Sequence, residues 1–330
     1  MRLAAIDLGT VTSRLLIADV ADGRLHELYR GMQITHLGED LHKTGIIKKQ
    51  AITREVQACR AFISTINAVG QQDGRPVEQV CAVATSAMRD ARNSREVCEA
   101  LQKAGLTVEV ISGKREAELS FLGTISGFAA GSFNPHEPLM AIDVGGGSTE
   151  VTLGGLKSDG TGVQILFAHS FDMGSRRVTD AFLAADPPSI AELKQAKDWI
   201  RAQLQAPLGP LAGRAQALIA VAGTATTAAT VKDEISEYDP WKIHGATITA
   251  EELNEVLHKL AALRLKDRKQ LIGLEPNRAS VIVGGLLVLQ GALELLGMNA
   301  FIVSETDILQ GMVLVTGQGL TVSGQGRPQS

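Results

Sequence analysis

Aromatic side chains are scarce in this 330-residue chain, with Phe, Trp and Tyr together at 4%. Gly, Ala, Val, Leu and Ile dominate instead, the make-up of α/β proteins whose parallel strands read as aliphatic runs. Cysteine is equally thin. Cys59, Cys81 and Cys98 form no CxxC pair, which argues against bridges or zinc ligation and for reduced, buried thiols. A basic surplus is missing too: the formal charge is −4, so no nucleic-acid partner is expected and any anionic ligand must be met by a local positive site. Long apolar runs are also absent. The best candidate, residues 278–297, is interrupted by Arg278, Gln290 and Glu294, and Asp7 breaks the first apolar stretch. Neither a membrane span nor a signal peptide is expected, and the default is a soluble cytoplasmic protein.

What is present suffices for proper cores. Hydrophobic residues make up 45% and charged residues 21%, and the length suits about two domains. The opening RLAAIDLGTVTSRLLIADV reads as a hairpin with its turn at Asp7–Thr12, followed by a turn at 22–24 and a polar helix near 50–70. Strand–turn–helix patterns then recur, to Ala84 and Ile111 in unit-like succession, with a helix from about Lys114. Past Pro135 and Pro138 the chain restarts with LMAIDVGGGSTEVTLGG. ALIAVAGTATTAATV is a third strand–Gly–Thr–helix element, 299–304 a last strand and 306–316 a last helix. The expected division is 1–126 and 127–316, the last helix packing in either domain, with a frayed tail at 317–330. The helix at 278–297 can bury its apolar surface within the chain or against a second copy, which leaves a homodimer open.

The restart repeats the beginning. AIDLGTVTSRLLI (5–17) and AIDVGGGSTEVTL (141–153) superimpose without a gap at an offset of 136 residues. Two such copies, each linking aliphatic strands, suggest duplicated domains whose hairpins face a common cleft; two unrelated glycine turns are the alternative.

These residue types suit phosphate chemistry. Gly145, Gly146 and Gly147 let backbone N–H groups approach an anion unobstructed, with Gly9 at the matching point of the first copy. Ser148, Thr10 and Thr12 add hydroxyls. Asp7, Asp143 and Glu150 would repel phosphate unless a cation intervenes, and a hard ion such as Mg²⁺ prefers such oxygens. A solvated strand residue is the other reading of Glu150. Arg89, about one turn past Thr85–Ser86, can grip phosphate oxygens or pair with Asp90 on the surface. Glu116, in the first turn of a helix, complements the helix dipole or serves as a general base for water. Gly223 and Thr224 at a helix start can hold another phosphate or only cap the helix.

DLGTVTSRLLI, ATSAMRDARN, ISGKREAELSFLG, IDVGGGSTEV and RASVIVGG occur in the order seen in the exopolyphosphatase / guanosine pentaphosphate phosphohydrolase (Ppx/GppA) family, and the chain resembles it to about Val315. The resemblance implies an α/β fold of two duplicated actin-like domains of the ribonuclease H-like superfamily around a cleft. It implies hydrolysis of the terminal phosphoanhydride of inorganic polyphosphate, or of the 5′-phosphate of guanosine pentaphosphate, with Mg²⁺ or Mn²⁺. By motif, Glu116 corresponds to the catalytic base and Arg89 to a phosphate clamp. Asp143 and Glu150 correspond to metal-binding acids, and Asp7–Thr12 and Gly145–Ser148 to phosphate loops. The chain departs from the family pattern at Val11, where an amide is common, and at Leu309–Gln310, where an Arg–Glu pair is common. It resembles the short forms without a helical HD-type domain, which implies weaker processivity on long chains. A phosphotransferase or ATP-driven switch of the same superfamily, and a non-catalytic nucleotide or polyphosphate sensor, are the rival readings.

Overall fold

A computed structural model describes residues 1–21, 24–128, 131–134, 137–156 and 163–318; residues 22 and 23 of the expected turn and most of the expected tail lie outside them. The chain divides into two compact units, one of residues 1–126 with 307–330 and the other of residues 127–306.

In the first unit, β1 (Arg2–Leu8), β2 (Thr12–Ala21), β3 (Arg24–Ile34), β4 (Gln79–Ala84) and β5 (Glu109–Val110) form a sheet of order β3-β2-β1-β4-β5. β1 runs antiparallel to β2 and parallel to β4. Every residue of β1 is buried, as expected of a central strand covered on both faces. Ala4, Ile6 and Leu8 belong to a core with Ile52, Cys59 and Phe62 of helix α1 (Lys49–Gln72). Leu3 and Ala5, on the alternate face, belong to another with Leu119, Leu309, Met312 and Val313. Helix α2 (Ser86–Asp90) follows β4, and α3 (Gly113–Ser126) follows β5.

The second unit holds β6 (Leu139–Val144), β7 (Thr149–Leu156), β8 (Val163–Phe171), β9 (Leu218–Val221), β10 (Thr247–Thr249) and β11 (Ala300–Val303). Its helices include α4 (Ser175–Phe182), α5 (Ile190–Leu208), α6 (Ala222–Lys232) and α7 (Ile282–Leu296). The sheet order is β10-β11-β9-β6-β7-β8. Read from β8, the first five strands repeat the order and senses of the first sheet: antiparallel β8–β7–β6, then parallel β6–β9–β11. β10 is an added antiparallel edge. Two mixed sheets of one pattern are what a duplicated actin-like fold requires.

The hairpin turns repeat as well. Gly9 N–H donates to Thr12 O at 3.0 Å, and Gly145 N–H to Ser148 O at 3.0 Å. Helix α7, left open between two modes of burial, packs inside its own unit against α4 and α5, with Ile282–Leu289 buried without a break. The homodimer reading loses that argument. The last helix, α8 (Ile308–Gly317), belongs to the first unit and packs on α3 and β1. Leu309 joins that core, while Gln310 accepts the Asp307 N–H at 2.9 Å and closes a capping box. Those roles account for the two residues that depart from the Arg–Glu pattern. Among the described residues, no helix is long and apolar enough to cross a membrane.

Candidate functional site

In the first unit, Asp7 ends β1, buried, and its Oδ2 accepts Arg14 Nη2 at 2.6 Å and Nε at 3.2 Å. Arg14 also donates to Asp307, whose Oδ1 accepts the Leu309 N–H at 3.1 Å. Asp7 Oδ1 is buried without a hydrogen-bond partner. Burial raises the Asp7 carboxyl above its ordinary range, and Arg14 opposes the rise. Asp7 is thus already matched by a cation of its own chain, which the sequence reading had not supplied.

The loop that follows is held from behind. Thr10 O accepts Gly38 N–H at 2.9 Å, and Val11 O accepts Thr35 N–H at 3.0 Å and His36 N–H at 2.9 Å. Val11 itself is buried, so this position supplies packing where an amide would supply a donor. Thr10 is buried and Thr12 half-buried. Nothing in the segment 35–38 announced this role.

Arg89, in α2, donates from Nη1 to Glu116 Oε2 at 2.6 Å and to Ile111 O at 3.1 Å. Glu116 lies buried in the first turn of α3. Two candidates proposed separately, 27 residues apart, therefore meet as an ion pair. The parallel β4 and β5 bring the helix starts that follow them together.

In the second unit, Asp143 and Glu150 are direct cross-strand partners of β6 and β7. Residues facing each other across an antiparallel pair share one side of the sheet, and both carboxylates are buried. Glu150 Oε1 accepts Ser170 Oγ at 2.6 Å. In the loop between them, Gly145 O accepts Ser175 N–H at 2.8 Å, and Gly146 O accepts Arg176 N–H at 2.8 Å. Arg177 Nε donates to Gly147 O at 3.0 Å. The loop carbonyls are thereby turned to α4, while among the described residues nothing takes the N–H groups of Gly146 and Gly147. Ser148 is buried beside them. Donors without carbonyl partners in a glycine loop make a nest for an anion.

Gly223 and Thr224 open α6. The Thr224 hydroxyl donates to Val144 O at 3.1 Å, bracing the end of β6. Gly223 is covered by Arg278: a Cβ there would stand 1.1 Å from Nη1. This third element is thus closed by a guanidinium, and it supports the second loop. Arg177 and Arg278 escaped the sequence reading, because an arginine declares its partner only through the fold.

The donor set suits a hard divalent cation. Two buried carboxylates on one face supply hard oxygen donors. Among the described residues, no group of three His, Cys, Asp or Glu is arranged for a metal. Two protein carboxylates, with water and phosphate oxygens completing the shell, is how Mg²⁺ is commonly held. The cysteines are free thiols, Cys59 and Cys81 buried.

The hairpin loops lead to known relatives. The chain is 34% identical to Exopolyphosphatase 2 of Mycobacterium tuberculosis, over 95% of this chain and 98% of that one. It is 32% identical to a bifunctional 3-dehydroquinate synthase/phosphatase of Fusobacterium nucleatum, over 94% of this chain and 46% of the relative. The solved exopolyphosphatase of Cytophaga hutchinsonii superimposes with a TM-score of 0.84 at 27% identity, over 98% of this chain and 99% of the other. Residues 16–316 match one family throughout, and with both sheets and both hairpin loops accounted for, the chain belongs to the Ppx/GppA phosphatase family.

Proposed function

We propose that this protein is an exopolyphosphatase that hydrolyses the terminal phosphoanhydride of inorganic polyphosphate with the help of Mg²⁺ or Mn²⁺. The observation that carries the reading is the second hairpin, where buried Asp143 and Glu150 face each other beside a glycine loop with unpartnered N–H groups. Relatives named exopolyphosphatase at 34% identity support the substrate class.

The N–H groups of Gly146 and Gly147, with the Ser148 hydroxyl and the Thr10–Val11 turn of the first loop, bind phosphate oxygens, and Asp143 and Glu150 hold the cation. When bound, that cation neutralises charge on the transferred phosphoryl group. Glu116 orients a water and accepts its proton as the water oxygen attacks the terminal phosphorus. The P–O–P bond then breaks, releasing orthophosphate and a chain one unit shorter. Arg89 meets the terminal phosphate with the guanidinium that otherwise holds Glu116. Most of the rate enhancement in such a reaction is positioning and electrostatics. The free thiols suit a reducing, cytoplasmic setting.

Phosphate release from polyphosphate, guanosine pentaphosphate and ATP, each with Mg²⁺, Mn²⁺ or EDTA, tests the proposal. Polyphosphate should be the best substrate, and EDTA should abolish release. A preference for guanosine pentaphosphate would keep the site and change the substrate. Binding without release from any of the three would make the protein a sensor and overturn the assignment.

A further inference from the structure

Glu55 lies on the inward face of α1, fully buried, in a row with Ala51, Ile52, Ala58, Cys59 and Phe62. A carboxyl there costs several kcal/mol if ionised and unpaired. Its Oε1 accepts the Ser13 hydroxyl at 2.7 Å and the Cys59 thiol at 3.6 Å. Its Oε2 is buried without a partner, and so is the hydroxyl oxygen of Thr35. Among the described residues, no cation pairs with the acid. Arg54, the residue before it on the helix, is engaged by Thr35 O at 2.7 Å and Glu39 at 3.1 Å. Asp7 lies on the other face of the sheet, since its strand partner is Arg14 while Leu8 pairs with Ser13.

The two hydroxyls near Glu55 belong to the two supports of the first loop. Ser13 directly follows Thr12, where the loop runs into β2. Thr35 is the residue whose N–H holds Val11 O at 3.0 Å. One proton on Oε2, donated to Thr35 Oγ1, would satisfy both orphaned atoms at once. The Thr35 hydroxyl can also donate to an ionised Oε2, so what favours the proton is the full burial of an acid with no cation beside it among the described residues.

We propose that Glu55 is a neutral carboxylic acid in the folded protein and a positioning residue for the first loop, tying Ser13 to Thr35 from beneath. It accepts from Ser13 and donates to Thr35, so the loop's entry into β2 and its backing segment are fixed by one side chain. Burial, with the Asp7 charge adding to it, raises the carboxyl above its ordinary range, in keeping with this state. The loop's part in binding phosphate rests on the function proposed above; the protonation state does not.

Glu55→Gln reproduces one acceptor and one donor without a titrating proton, and Glu55→Leu removes both. The Gln variant should keep the KM and kcat of the parent. The Leu variant should raise KM for polyphosphate about five- to tenfold with a much smaller change in kcat, the scale of one lost hydrogen bond. Infrared spectra of the parent at neutral pH should contain a protonated-carboxyl band that Glu55→Gln removes. The raised carboxyl contributes stability below its ordinary value and loses it as pH rises through the folded value. Glu55→Gln should therefore gain thermal stability on the parent as the pH is raised. A Gln variant as impaired as the Leu variant, or an infrared band that Gln leaves in place, would overturn the neutral acid. An unchanged KM in a folded Leu variant would overturn the positioning role. If the parent released no phosphate at all, the spectra and the stability profile would still decide the protonation state.

Discussion

Arg89 and Glu116 form an ion pair at 2.6 Å, one from each of two helices that follow parallel strands. The pair ties the proposed base to the proposed phosphate clamp, so removing either member should disturb the other. Glu116→Gln keeps the shape and a hydrogen-bond acceptor for Arg89 but cannot take a proton. Turnover should fall about 10²–10⁴-fold, with little change in thermal midpoint. Near-parental turnover in a folded variant would remove Glu116 from the chemistry.

The two hairpins share their architecture and differ in charge. At the 136-residue offset, Glu150 stands where the first hairpin has Arg14. Asp7 thus pairs with Arg14 across its hairpin, whereas Asp143 has a second acid as its cross-strand partner. Glu150→Gln should raise the Mg²⁺ concentration for half-maximal activity at least about tenfold, a loss of some 1.4 kcal/mol of cation affinity. An unchanged Mg²⁺ requirement would place the cation elsewhere.

Helices α3 and α8 touch backbone to backbone. A Cβ at Gly311 would stand 1.9 Å from Leu119 O, and one at Gly123 would stand 1.7 Å from Asp307 O. Because α3 carries Glu116, Gly311→Val should cost about 2–3 kcal/mol and lower the thermal midpoint by several degrees. Phosphate release should drop even well below that midpoint, as Glu116 moves away from Arg89. Full activity at low temperature would uncouple the helix contact from the site.

Far from either loop, Glu192 caps α5 by accepting the N–H groups of Ala184, Ala185 and Ser189 at 2.7–3.0 Å. These bonds to the charged form hold its carboxyl down at about 2, against an ordinary 4.5. A depressed acid stabilises the fold above its ordinary value and loses that contribution as pH falls through the folded one. The thermal midpoint of Glu192→Gln should lie below that of the parent at neutral pH, and the gap should close between about pH 4.5 and 2. A gap independent of pH would mean that shape, not charge, makes the cap.

Much of this was readable beforehand, for local reasons. The repeated AID-x-G pattern gave two hairpins, and hairpin geometry alone puts Asp143 and Glu150 on one face. β3 and β8 went unread, because each lies outside its hairpin with much of its surface half-buried or exposed. The Arg89–Glu116 pair was invisible for another reason: its partners meet only through the parallel neighbours β4 and β5. Glu55 was overlooked as one acid in a polar helix, since its burial depends on which face of α1 meets the sheet.

The order in which the chain is made bears on its first unit. Residues 1–126 and helix α8 share a core, yet the whole second unit is translated between them. At roughly 5–20 residues per second, the apolar surface of Leu3, Ala5, Leu16 and Leu119 waits on the order of ten to forty seconds for Leu309, Met312 and Val313 to leave the ribosome. The second unit, unbroken in sequence, can close its own core during that interval. Until the last helix arrives to seal it, that face of the nascent first unit stays exposed.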